Sequence, residues 1–245
     1  MIEYIVHADD FGYSESVNSC INECIQKGWV SETSLMVNMP GCESAVELAN
    51  RYGYAHRVGI HLNLTEGVPL TDEIKGFSRF CTNGKFNKKF HLSLASRLVL
   101  SKAESKAAFN EIDAQMRKFL SYGRMMMRID SHHHSHTDWS IYRLLGPLAM
   151  KYGFGAMRIT ANCHRVRLDV EIYKKILNSN IRKNFKTRDY FDGIVPGILD
   201  KDVGRVEVMV HPLIWEGVLC DSRKPFAENI ARVQAVKNSC IRRAV

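Results

Sequence analysis

In the first 62 residues, short apolar runs alternate with segments of helical period, and the runs end on polar side chains that ordinary packing has little use for. "EYIVHADD" is an apolar run leading into acid and predicts a buried strand that delivers Asp9 and Asp10. "SESVNSCINECIQKGW" places Val17, Cys20, Ile21, Cys24 and Ile25 at helical spacing, with Ser14 or Ser16 as cap. "TSLMVNMP" predicts a second strand ended by Pro40 and Gly41, and "CESAVELANRYG" a second helix stopped at Gly53. "RVGIHLNL" predicts a third strand with His61 near its end. Strands separated by helices can pair in parallel, and in such sheets ligands collect at the C-terminal strand ends. Asp9, Asp10 and His61 all fall there.

The pattern continues. Residues 63–90 are rich in Gly, Pro, Thr and Asn without clear periodicity, which predicts a long loop close to the active site that supplies substrate contacts. Residues 92–120 predict one or two helices, "RMMMRID" a strand with Met125–Met127 in its core, and "WSIYRLLGPLAMKYG" a helix. "GAMRIT" reads as a strand, "LDVEIYKKILN" as a helix, and "RVEVMVHP" as a late strand ending at His211. No repeat or low-complexity linker divides the chain. Residues 1–245 are therefore expected to form a single α/β domain of about seven or eight βα elements, barrel-like.

The formal charge of +8 raises nucleic acid as a partner, but the basic residues are scattered. The modest concentrations at "IRKNFKTR" (181–188) and the C-terminal "IRRAV" lack the interleaved aromatics of a base-stacking surface. No nucleic-acid role is expected. Seven cysteines without a C-x-x-C pair suit a reducing compartment, and no stretch approaches the ~18 apolar residues of a membrane span. The N-terminus turns acidic before an apolar run reaches signal-peptide length. A soluble, cytoplasmic protein is expected, with a homo-oligomer compatible with the sequence.

"DSHHHSH" (130–136) puts four of the ten histidines and a carboxylate within seven residues, at the end of another predicted strand. In an extended segment His132, His134 and His136 would share one face and His133 the other; in a helix His132 and His136 would pair. Either would present imidazoles to one ion. A divalent cation held by one carboxylate and two imidazoles keeps positions open for water and substrate and lowers the pKa of the water. Of the Asp9–Asp10 pair, one carboxylate can then bind metal while the other acts as general base, and His211 can protonate a leaving group. That division of labour describes hydrolysis of an acyl bond. Taken singly the features are ordinary: paired Asp residues after a strand are often a solvated turn, a lone strand His is usually a core residue, and a His tract can bind metal adventitiously. His7, His56, His91 and His164 lack the strand-end placement and read as structural or surface residues. Trp29, Trp139 and Trp215 read as packing residues or sugar platforms.

"HADDFGYSESVNSCI", "TSLMVNMP", "GIHLNLTEGVPL" and "IDSHHHSH" resemble, in order and spacing, the motifs of the YdjC-like carbohydrate deacetylases, which include the chitooligosaccharide deacetylases. The resemblance covers residues 1 to about 155. It implies a seven-stranded, barrel-like (β/α) fold and metal-dependent hydrolysis of the N-acetyl group of a small amino sugar, with Mg²⁺ or Zn²⁺ as the cofactor. Carried over by motif, Asp10, His61 and His132 resemble the metal ligands, Asp9 the catalytic base and His211 the acid. Asp130, His134 and His136 would be second-shell or substrate contacts, with Asn63 and Thr65 at the pocket rim. In the C-terminal third the chain departs from the pattern. After "GAMRI" it has "TANCHRVRL", where a Pro and charged residues are expected, and after "HP" it has "LIWEGVLC", where a glycine-led loop is common. These segments shape substrate choice.

Three other classes compete. An iron(II) oxygenase uses a similar ligand triad, but with an H-x-D pattern on a β-sandwich strand, which is absent here. A binding protein of the same fold without turnover need not keep Asp9 beside a metal set, and a nucleic-acid binder needs a clustered basic face. Hydrolysis of another acyl substrate keeps the same chemistry.

Overall fold

Strand β1 (Ile2–Phe11) is buried along most of its length on both faces, so its apolar run is continuous rather than alternating, as in a strand covered on both sides. The computed structural model describes residues 2–201, 203–221 and 224–242, with 236–242 as backbone only. After β1 come α1 (Glu15–Gln26), β2 (Glu32–Leu35), α2 (Cys42–Arg51) and β3 (Val58–Leu62). Ser14 caps α1 by accepting from the Val17 amide. The segment 63–90 carries a small hairpin, β4 (Cys81–Thr82) and β5 (Lys85–Phe86), and leads into α3 (Lys89–Leu92) and α4 (Leu94–Leu98). The long α5 (Lys102–Ser121) opens on a capping box between Ser101 and Glu104. Next are β6 (Arg128–Ser131), α6 (Trp139–Lys151), β7 (Ala156–Met157), α7 (Leu168–Asn184), β8 (Tyr190–Asp192), α8 (Pro196–Leu199) and β9 (Gly204–Val210). A three-stranded antiparallel sheet, β10 (Pro212–Trp215), β11 (Val218–Asp221) and β12 (Lys224–Pro225), and α9 (Phe226–Arg242) complete the described chain.

Seven strands form one parallel sheet in the order β7-β6-β3-β2-β1-β9-β8. Followed around the sheet, this is the order of the sequence, each strand beside the next, and β9 returns to β1. The two edges meet at a single parallel bridge, Ala156 to Lys186, in which the Met157 amide donates to Lys186 O and the Lys186 amide to Gly155 O. The sheet is thus curled into a seven-stranded barrel with one thin seam, between β7 and the chain entering β8. Among the described residues no helix is long and apolar enough to cross a membrane.

Several details differ from the sequence reading. Met125–Met127 precede β6, which begins only at Arg128, because Met126 and Met127 bond singly to Val58 and Gly155 rather than joining a ladder. Strands β8 and β10–β12 and helix α8 are additional elements too short to read, and α9, though 17 residues long, is not assigned in the sequence reading. Trp29 stacks on Phe226, Trp139 packs beside Tyr142, and Trp215 lies half-exposed on β10. The basic C-terminal "IRRAV" falls largely outside the described residues.

Candidate metal centre and catalytic cleft

The register of β1 against β2 slips between Ala8 and Phe11, and Asp10 takes a left-handed φ of 69°. This irregularity lets neighbouring carboxylates, which a regular pleat would send to opposite faces, both reach the cleft at the top of the barrel. That cleft, of about 420 Å³, is lined by Asp9, Asp10, His61, His91, His132, His133, His134 and His211.

Asp10 Oδ1 lies 3.3 Å from His61 Nε2 and 2.8 Å from His132 Nδ1. Ligand atoms of these three residues fall within 4.8 Å of one another. The ring nitrogens His61 Nε2 and His132 Nε2 are buried without a hydrogen-bond partner. Buried polar atoms are nearly always paired, so an orphaned imidazole nitrogen beside a carboxylate is what a cation site looks like when only protein atoms are drawn. Two nitrogens and an oxygen fit a divalent ion. Behind the trio, His61 Nδ1 donates to Asp130 Oδ1 at 2.7 Å, the carboxylate backing that orients a ligating imidazole. Burial alone would lower the His61 pKa, but the Asp9 and Asp130 charges and the contact with Asp10 raise it to about 10. Burial pushes Asp10 up, and its close contacts with the His132 and His61 rings outweigh this and hold it well below the usual carboxylate range.

Asp9, almost fully buried, is gripped by Arg158: Nη1 to Oδ2 at 2.8 Å and Nη2 to Oδ1 at 2.7 Å. Burial would raise Asp9, and the Arg158 charge more than reverses that, so the carboxylate stays ionised. Arg158, itself fully buried, also reaches Asp130 Oδ2 at 3.1 Å and donates from Nε to Glu207 Oε1 at 2.7 Å. Glu207 pairs in turn with Arg128, whose Nη1 lies 3.2 Å from both His7 Nδ1 and Asp130 Oδ2. His7, read from the sequence as structural or surface, sits at the centre of this interior network and approaches Asp130 Oδ2 at 3.2 Å. The barrel below the cleft is therefore filled by alternating charges rather than by the branched apolar layers usual in such folds.

The histidine tract is neither extended nor a regular helix. It forms a tight 3-10-like turn in which His133 and His134 both adopt left-handed φ, 51° and 56°. Consequently His134 and His136 turn away from the other two, while His132 and His133 keep their ring centroids 4.0 Å apart and bring ligand atoms within 4.8 Å of one another and of Glu66. His132 meets Asp10. His133 Nδ1 contacts Thr65 Oγ1 at 2.9 Å and its Nε2 the Lys88 ammonium at 3.1 Å. His134 stands edge-on to Phe191 with Nδ1 unpaired, and burial lowers its pKa to about 4. His136 is fully buried between Ser131 Oγ (2.6 Å) and Arg158 O (3.1 Å), with burial pushing it down to about 3. Asn63 and Thr65 lie beneath the rim rather than on it: Asn63 Oδ1 accepts from the Thr65 and Glu66 amides and shapes the turn. His211 lines the cleft as expected, and its amide donates to Asp221 Oδ1 at 3.0 Å. Asp221, on β11, is held by Asn229 of α9, so the unforeseen C-terminal elements fix this histidine's backbone.

Arg158, Glu207 and Arg128 are absent from the sequence-based site. Their signal was present in "GAMRIT" (Arg158), "VEVMV" (Glu207) and "MMMRI" (Arg128), where a single charge interrupts an apolar run and must find a partner inside.

A family model described as YdjC-like protein matches residues 3–230. A carbohydrate deacetylase of Geobacillus stearothermophilus is 34% identical over 85% of this chain and 78% of its own length. One from Vibrio parahaemolyticus is 30% identical over 86% and 78%. A solved structure from Enterococcus faecalis V583, named as a proposed cellobiose-phosphate cleavage protein, superposes with a TM-score of 0.69 at 22% identity, covering 99% of this chain and 95% of that one, a likeness of fold. With the motifs at the strand ends, the barrel that carries them and a match across nearly the whole chain, the protein belongs to the YdjC-like family.

Proposed function

We propose that the protein hydrolyses the N-acetyl group of a small amino sugar or chitooligosaccharide with the help of a divalent ion, releasing acetate. The observation that carries the reading is the meeting of Asp10, His61 and His132, with unpaired buried ring nitrogens, beside a carboxylate held ionised by a buried arginine. Deacetylase relatives supply the substrate class. Asp10, His61 and His132 would hold the ion. Zn²⁺ suits two imidazoles better than Mg²⁺, which prefers oxygen. When bound, such an ion supplies Lewis acidity toward the acetamide carbonyl and an acidified water.

The remaining work falls to the chain. Asp9 accepts the proton of the attacking water; its bidentate pairing leaves a lone pair on each oxygen, and Arg158 fixes the direction in which they point. Asp130 keeps His61 in the tautomer that turns Nε2 toward the cleft. His211, just past the end of β9 beside the Asp9-bearing β1, protonates the departing amine. Histidines 133, 134 and 91 border the space left for the sugar. Among the described residues six cysteines are free thiols, in keeping with a reducing, cytoplasmic setting.

The test is acetate release from N-acetylated sugars by chelator-treated protein and by protein resupplied with Zn²⁺, Mg²⁺, Mn²⁺ or Co²⁺. Metal-restored acetate release is expected. Folded, metal-loaded protein that releases none would sink the reading.

A further inference from the structure

Beside the cleft, above the seam between β7 and β8, lies a second compartment of about 330 Å³, bounded by Thr160, Ala161, Tyr173, Lys174, Phe191 and Asp192 among others. Both spaces are at the small end of ligand pockets, roughly 300–1,000 Å³, and they share His91, His133 and His134. A substrate larger than one sugar ring, with its acetamide in the cleft, must pass these three side chains.

They are not equivalent. Both ring nitrogens of His133 are engaged, by Thr65 and Lys88. His134 has no partner to orient its ring beyond the face of Phe191. His91, on α3, is both oriented and free: Nδ1 lies 2.7 Å from Oδ2 of Asp138. Asp138 is fully buried, and its other oxygen accepts from Arg97 Nε. A carboxylate that holds an arginine only accepts, so Nδ1 carries the proton. In the neutral ring Nε2 then remains as an acceptor, with no protein partner among the described residues. Nothing in the packing of a short surface helix calls for a histidine tied to a buried carboxylate. A fixed acceptor at the mouth between two spaces is what recognition of a hydroxyl requires.

We propose that His91, positioned by Asp138, is a specificity-determining residue: Nε2 accepts a hydrogen bond from a hydroxyl of the sugar ring that occupies the second compartment while the neighbouring acetylated ring lies in the metal cleft. The inference rests on the deacetylation reading. It makes a two-ring substrate better than a single ring and assigns part of that preference to one side chain. The segment after β7 that departs from the family pattern lines this same compartment, through Thr160, Ala161 and His164.

The experiment compares wild type with His91→Asn, metal-loaded, on di-N-acetylchitobiose and on N-acetylglucosamine. The preference for the disaccharide in kcat/KM is expected to fall about tenfold, carried by KM, the size of one lost hydrogen bond. Equal losses on both sugars would mean a structural role, and an unchanged preference would mean no contact; either overturns the proposal while leaving deacetylation standing. Should the wild type release acetate from neither sugar, the deacetylation reading falls on its own. Calorimetry on metal-free protein then decides, since weaker disaccharide binding by the variant supports the contact, and equal affinity or no binding by wild type removes it. Should His91→Asn not fold, the imidazole ¹⁵N signals of wild-type His91 give the answer: a shift on adding disaccharide but not monosaccharide is expected, and no shift overturns the assignment.

Discussion

At the scale of single residues, two neighbouring carboxylates hold different environments, one among imidazoles and one against a guanidinium. Asp9→Asn should therefore leave metal content near the wild-type level while acetate release drops by at least about a hundredfold, the usual weight of a general base. His61→Ala should lose the metal itself. Elemental analysis beside an acetate assay separates the two, and an active Asp9→Asn enzyme would dismiss Asp9 as base. Arg158→Met leaves Asp9, Asp130 and Glu207 together without their shared cation, and should cost about 3–5 kcal/mol in a urea titration. Asp9, Asp10 and His61 were legible in the sequence because polar residues ended apolar runs. Arg158 was not, because its partner Asp9 is 149 residues away, and only the closed barrel brings them together.

At the scale of elements, local sequence was a good guide to the helices α1, α2, α5, α6 and α7, although α9, of comparable length, was not read. It failed where backbone torsion decides. Nothing in "HHHSH" announces two successive left-handed residues, so the turning of His134 and His136 away from His132 was out of reach. Short strands such as β8 escaped for the opposite reason: tertiary pairing makes them, and propensity over so short a run does not. The turn joining β1 to α1 shows how tightly the ligand-bearing loop is built. Gly12 has φ +93°, and a Cβ there would stand 2.9 Å from Met36 O. Gly12→Ala should destabilise the protein by more than about 1 kcal/mol and weaken metal binding, because relief of the clash moves Asp10. Thermal melts and metal titration check both parts. Unchanged metal affinity in a destabilised variant would show that Asp10 is fixed independently of the turn.

At the scale of the whole molecule, the charged barrel interior ties stability to pH. Burial pushes Glu32 up, but His7 and the nearby arginines bring it down to about 2; Glu207 is likewise lowered by Arg128 and Arg158 against its burial. A carboxyl with a depressed folded-state pKa contributes stability that is fully present above its unfolded value, near 4.5, and is lost as pH falls toward the folded value. His134 and His136, held neutral to about 4 and 3 by burial, take up protons sooner in the unfolded chain, so the urea midpoint should begin to fall below about pH 6.5 and fall steeply between 4.5 and 2; a flat profile from 4.5 to 2 would mean the carboxylate pairs contribute nothing net. The barrel's closure has a mechanical consequence. A ladder of hydrogen bonds stiffens neighbouring strands, and seven register pairs join β1 to β9, whereas one bridge joins β7 to the chain before β8. The amides of Met157 and Lys186 should thus exchange with deuterium well before those of Val206 and Val208. Compliance is concentrated on one side of the molecule. The wall beneath the reacting carboxylates is rigid, and the wall beneath the second compartment can yield, so one barrel can hold its chemistry still while the floor under the rest of the sugar gives way to fit it.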